Sequence, residues 1–185
     1  ATYQKNKELF ITKGKSKAIN EGIIIDADNF EYNKIKNIIN AYGNVKIDNL
    51  DENYVIFTDE ATYQKNKELI ITKGQSKAIS EGIIIDADNF EYNKSNNVIN
   101  ANGNVAIDNK DENYLIYADD ATYLKNEQLF LTKGQSKAIN EDIVINAENF
   151  EYNRIDNTIN AEGNVKIEDT LNDYLIFAKE AKYYK

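Results

Sequence analysis

Apolar residues come along this chain in bursts of about ten, each closed by a polar cluster. In the first copy of the pattern the apolar segments are Leu9–Ile19, Ile23–Tyr32, Ile38–Asp48 and Tyr54–Tyr63. Between them lie Gln4–Glu8, Asn20-Glu21-Gly22, Asn33–Asn37 and Asp48–Asn53, rich in residues that favour turns. The segments are enriched in Ile, Val, Phe, Tyr and Thr, and their apolar positions do not recur at helical spacing. They read as strands. Over the whole chain the pattern predicts about twelve strands joined by short loops, hence an antiparallel meander.

The pattern repeats with a period of 60 residues: Ala1-Thr2-Tyr3-Gln4-Lys5-Asn6 returns at Ala61 and again, with Leu124, at Ala121. Residues 1–60, 61–120 and 121–180 are therefore three copies of one unit, and 181–185 begin a fourth. A fixed period of this kind marks a stacked array in which each copy buries its apolar face against its neighbours. The sequence predicts one continuous array over residues 1–185. Each copy is itself two related halves, because Gly14 aligns with Gly43, Gly74 with Gly103 and Gly134 with Gly163. Gly22 and Gly82 fall outside that series, and Asp142 replaces them in the third copy.

The serial glycines sit at strand centres. In Ile38–Asp48, Ile39, Ala41, Val45 and Ile47 share one face with Gly43 in the middle, while Asn40, Tyr42, Asn44, Lys46 and Asp48 share the other. Glycine inside a strand marks a bend or bulge. Strands bent at their middles fold the meander into two facing sheets, a two-sheet trough with apolar inner walls. The residues expected to line it are Ile39, Val45, Ile47, Phe57, Ile99 and Val105. Ile107, Tyr117, Ile159, Val165, Ile167 and Phe177 complete that expectation. Small residues such as Ser16, Ala18 and Ala41 leave room between the walls.

The chain has no His and no Cys, which removes the commonest general base and the strongest nucleophile and soft metal ligand. Acid pairs such as Asp26/Asp28, Asp86/Asp88 and Asp59/Glu60 recur with the repeat, which favours a structural place at the bend over catalysis. The run Asp48–Asn53 lacks the central glycine of a calcium loop and reads as a hairpin. No enzyme, metal or cofactor is expected. A net charge of −9 opposes a nucleic-acid partner. The absence of Met suggests a piece of a longer protein, and copies one and two match at 47 of 60 positions, as after recent duplication or in an engineered array.

Two motifs then carry a resemblance. Ala41-Tyr42-Gly43-Asn44-Val45-Lys46-Ile47 returns as Ala101-Asn102-Gly103-Asn104-Val105 and Ala161-Glu162-Gly163-Asn164-Val165. Thr58-Asp59-Glu60-Ala61-Thr62-Tyr63 returns as Ala118-Asp119-Asp120-Ala121-Thr122-Tyr123, with a related Ala87-Asp88-Asn89-Phe90-Glu91-Tyr92. The pattern resembles the OstA-like periplasmic domain of lipopolysaccharide transport, found in LptA and the N-terminal part of LptD. That resemblance implies a β-taco or β-jellyroll. It also implies acyl chains of lipopolysaccharide held in the apolar interior, and end-to-end stacking with other such domains as a bridge across the periplasm of a Gram-negative bacterium to its outer membrane. The alternative is a structural spacer or filament module whose interior is packed and holds no ligand. Aromatic side chains crossing the trough would favour the spacer, and a channel lined by small residues the conduit.

Overall fold

The structure, a computed structural model, describes residues 1–184. A short β1 (Thr2–Gln4) is followed by four long strands: β2 (Leu9–Asn20), β3 (Ile23–Asn33), β4 (Ile38–Asn49) and β5 (Tyr54–Gln64). Their bounds follow the apolar segments to within a residue or two. In the second copy the first two long strands are each interrupted midway, giving β6 (Leu69–Lys73), β7 (Ser76–Ser80), β8 (Ile83–Ala87) and β9 (Asn89–Asn93) before β10 (Val98–Asn109) and β11 (Tyr114–Leu124). The third copy repeats this as β12 (Leu129–Lys133), β13 (Ser136–Asn140), β14 (Ile143–Ala147), β15 (Asn149–Asn153), β16 (Thr158–Asp169) and β17 (Tyr174–Tyr184). The fold is all-β and antiparallel, of the jellyroll or taco kind. No helix among the described residues is long and apolar enough to cross a membrane.

The contacts divide the chain into two compact units that do not follow the copy boundaries. One holds Ala1–Glu81 with Asp88–Asn96, and the other holds Gly82–Ala87 with the chain from Asn97 onward. In each unit the bent strands contribute to two arms. In the first unit one arm pairs β1, the opening half of β2, the closing half of β3, the opening half of β4, the closing half of β5, β6 and β9. The other pairs the remaining halves with β7. The second unit is built the same way, with β12 and β15 in one arm and β8, β13 and β14 in the other.

The bend is a two-against-one bulge. Between the pairs Tyr42↔Glu60 and Val45↔Thr58, β4 spends Gly43 and Asn44 where β5 spends only Asp59. Gly43 and Asn44 both take left-handed φ values, 76° and 47°, which glycine and asparagine adopt most readily. Asp28 of β3 closes over the turn. Asn44 Nδ2 donates to Asp28 Oδ2 at 2.8 Å, and a Cβ at Gly43 would lie 2.6 Å from that oxygen. Asp59 covers Gly74, Asp119 covers Gly134 and Glu148 covers Gly163, so these acids sit on the bends. Asp26 and Asp86 instead stand along the strands, opposite Lys46 and Ala106. Gly22 has a different task. With Glu21 it forms a two-residue hairpin turn, φ 43° and 75°, which matches strand twist.

Gly43→Ala is expected to cost about 1–3 kcal/mol, from the positive φ and the push against Asp28. Asp28→Ala in that background should recover the steric part. Urea unfolding of the single and double variants measures both.

Candidate functional site

The candidate site is the space between the two arms. In the first unit Ile39, Val45 and Ile47 are buried on its inner walls. In the second, Ile99, Val105, Ile107, Ile159 and Val165 are buried, and Ile167 is half-buried. Phe57, Tyr117 and Phe177 are not on these walls. They are 41%, 42% and 72% exposed, on the outer face. The bulge is the reason. On β4 it adds a residue, so Ala41 and Val45 stay in phase. On β5 it does not, so the buried series Tyr54, Ile56, Thr58 jumps to Ala61 and Tyr63. Counting every second residue back from Tyr63 assigns Phe57 to the wrong face, and the same slip misplaces Tyr117 and Phe177.

Small residues line the bend: Ala41, Ala61, Ala101, Ala121 and Ala161 are buried there. Thr58, Thr72 and Ser76 are also buried, with Thr72 Oγ1 and Ser76 Oγ at 2.7 Å and Thr58 Oγ1 and Ser76 Oγ at 3.0 Å. Thr72 Oγ1 further accepts from the Phe90 N–H at 2.7 Å. These hydroxyls satisfy backbone groups that the bend takes out of the ladder.

At the far tips, tyrosines close the arms against each other. In the first unit Tyr54 and Tyr92 meet edge to face at 5.1 Å, and Tyr92 donates a short hydrogen bond to Glu52 in the β4–β5 loop. In the second, the rings of Tyr114 and Tyr152 lie 4.9 Å apart and Asn109 Nδ2 donates to Tyr152 Oη at 2.8 Å. Asn157 Nδ2 donates to Glu112, and Tyr183 Oη to Asn140 Oδ1 at 3.2 Å. Phe130 lies beneath, 4.0 Å from Tyr123 and 6.1 Å from Tyr152. Among the described residues the backbone pairings run within an arm or at the bend, whereas these contacts across the tips are made by side chains. Sequence reasoning passed over the tip tyrosines, although Asn-Phe-Glu-Tyr-Asn and Asn-Tyr recur with the repeat and could have flagged them.

Open grooves lie on outward surfaces. One of about 550 Å³ in the second unit is lined in part by Leu131, Glu151, Glu162 and Lys182, all exposed. A smaller one of about 240 Å³ in the first unit includes Asn40, Tyr42, Glu60 and Lys73.

No protein-family model and no curated protein sequence matches the chain. It is similar to the solved structure of LptH. That protein is the LptA-homologous periplasmic component of the lipopolysaccharide transport device of Pseudomonas aeruginosa. The two are 12% identical over 85% of this chain and 84% of LptH, with a TM-score of 0.31.

Burial raises the tip phenols above their ordinary range. Tyr152 is pushed up to about 12, burial outweighing the stabilising hydrogen bond from Asn109. Tyr54, Tyr92 and Tyr114 move further in the same direction, again chiefly by burial. In the unfolded chain these groups ionise near pH 10. Between that pH and the folded value the unfolded state has released protons that the folded state keeps, so stability falls as pH rises and is fully present below about pH 10. Phenolate absorbance of these four should therefore appear together with loss of strand signal on alkaline titration. Ionisation of all tyrosines near pH 10 in a still-folded protein would contradict the buried tips.

Proposed function

We propose that this chain is a non-enzymatic module of lipopolysaccharide transport, holding acyl chains between its arms as part of a periplasmic bridge to the outer membrane of a Gram-negative bacterium. The observation that carries the reading is the seam at the tips. The arms are continuous chain at the bend but meet at the tips through side chains, so they can part there without breaking a strand ladder. An acyl chain entering the seam trades Tyr and Ile contacts for its own methylenes, each worth about 0.8 kcal/mol when buried. The phosphates and sugars stay in solvent, so an acidic protein can hold an anionic lipid. The motif resemblance described above supports the same reading.

The second reading, a packed spacer, is favoured by the complete burial of Tyr92, Tyr114, Tyr152 and Phe130. Gel filtration of the chain with lipopolysaccharide separates the two. Co-migration is the result expected of the conduit, and protein eluting free of lipid at every ratio supports the spacer.

On the same reading, copies associate end to end. Tyr174 and Ile176 are exposed, whereas their counterparts Tyr114 and Ile116, on a strand that pairs with β13, are buried. A strand from another OstA-like domain or another copy would cover them by extending the ladder. Each copy is acidic, so association should strengthen with salt, which screens the repulsion. Sedimentation at low and high salt tests this, and a monomer at high concentration in both would remove the bridge.

A further inference from the structure

The outer face of the second unit carries a row of side chains that the lipid reading does not use. Strand register sets Tyr117, Lys137, Asn146, Lys166 and Phe177 side by side across β11, β13, β14, β16 and β17. Strands are spaced ~4.8 Å apart, so the two aromatic residues stand ~19 Å apart with two lysines and an amide between them. Both rings are substantially exposed, and a groove of about 770 Å³ lies over Tyr117, Lys137 and Asn146, bordered by Gln135, Glu148 and Asn164.

The third copy differs from the others at this row. Asn146 stands where the first two copies have Asp26 and Asp86. In the first unit Asp26 pairs with Lys17 at 3.2 Å, and Lys46 pairs with Asp48 at 2.8 Å. Between Tyr117 and Phe177 no carboxylate interrupts the row. Three acids stand nearby. Asp86 lies in the same row two strands beyond Tyr117, across Ala106. Glu168, at 3.2 Å from Lys166, lies in the adjacent row, and Glu148 accepts from Asn164 Nδ2 at 2.6 Å on the bend.

We propose that this outer row is a binding site for a phosphorylated saccharide. Aromatic faces pack against the C–H faces of sugar rings, amides exchange hydrogen bonds with hydroxyls, and ammonium groups meet phosphate. Lysines on either side of a neutral amide, with a ring at each end, present those groups in one line. The site lies outside the arms and needs no parting of the seam, so it stands independently of acyl binding. If the transport reading holds, the saccharide is the glycan of the same lipid.

The test is calorimetric titration with the acyl-free phosphorylated oligosaccharide released from lipopolysaccharide, and with the same material after phosphatase treatment. The phosphorylated form should bind more tightly. Tyr117→Ala should weaken both forms, about threefold to tenfold, by loss of the aromatic platform. Asn146→Asp restores the acid of the other copies and should weaken only the phosphorylated form, roughly fourfold for a charge ~5 Å away in water. Both positions lie on the outer face, so the variants should keep the parent's circular dichroism spectrum. Equal affinity for both forms would overturn the phosphate assignment. Absence of saturable binding, or binding that neither variant changes, would overturn the site, and co-migration of intact lipopolysaccharide in that case would leave the transport reading standing.

Discussion

Val105→Asp is expected to cost about 3–5 kcal/mol, because it places an unpaired carboxylate on an inner wall that solvent does not reach. Val105 is 1% exposed, paired in register with Ala118 on β11, and flanked along the wall by the fully buried Ile107. At roughly 2–4 °C per kcal/mol for a chain of this size, the midpoint of thermal unfolding should fall by about 6–20 °C. Phe57→Asp supplies the contrast. It changes an outward position between Lys46 and Lys77, so its effect should stay within about 1 kcal/mol. Equal losses in the two variants would mean that the phase slip on β5 is misassigned.

Tyr152→Ala should be of similar size, about 3–5 kcal/mol, since it empties a fully buried position between Tyr114 and Phe130. Tyr152→Phe removes only the oxygen that accepts from the buried Asn109, and should cost about 1–2 kcal/mol. The pair also separates the two functional readings. If acyl chains occupy the space between the arms, lipopolysaccharide should restore part of the stability lost in Tyr152→Ala by filling the void. In a packed spacer the lipid restores nothing.

The strands were legible in the sequence because turn clusters and β-branched segments alternate without ambiguity: β2 to β5 begin and end within two residues of the apolar segments. The bend was legible too, from glycines recurring at strand centres. The sequence pattern does not display the asymmetry of the bulge. Gly43 and Asn44 absorb two residues on β4 while β5 absorbs one, so one strand keeps its alternation and its neighbour slips. That asymmetry alone sends Phe57, Tyr117 and Phe177 to the outer face. The tip seam was hidden for another reason. Tyr54 and Tyr92 are 38 residues apart and meet only when the two arms face each other, a contact that alternation along one strand cannot show. Asp28 over Gly43 lies between these cases: its recurrence pointed to the bend, and the hydrogen bond from Asn44 explains why the glycine is followed by asparagine in β4, β10 and β16.

A leucine-sized diazirine amino acid placed at Ile99 or at Asn100 reports whether acyl chains enter the space between the arms. The two residues are neighbours on β10 and point to opposite faces, Ile99 buried on the inner wall and Asn100 outward, where its side chain accepts from Thr122 Oγ1 at 2.9 Å. A probe of that size preserves the volume at Ile99 and should be tolerated there. After irradiation with intact lipopolysaccharide, a cross-linked adduct is expected from position 99 and none from position 100, with acyl-free oligosaccharide giving none at either. Adducts from position 100 alone, or no adduct from 99 at any lipid concentration, would contradict acyl binding between the arms.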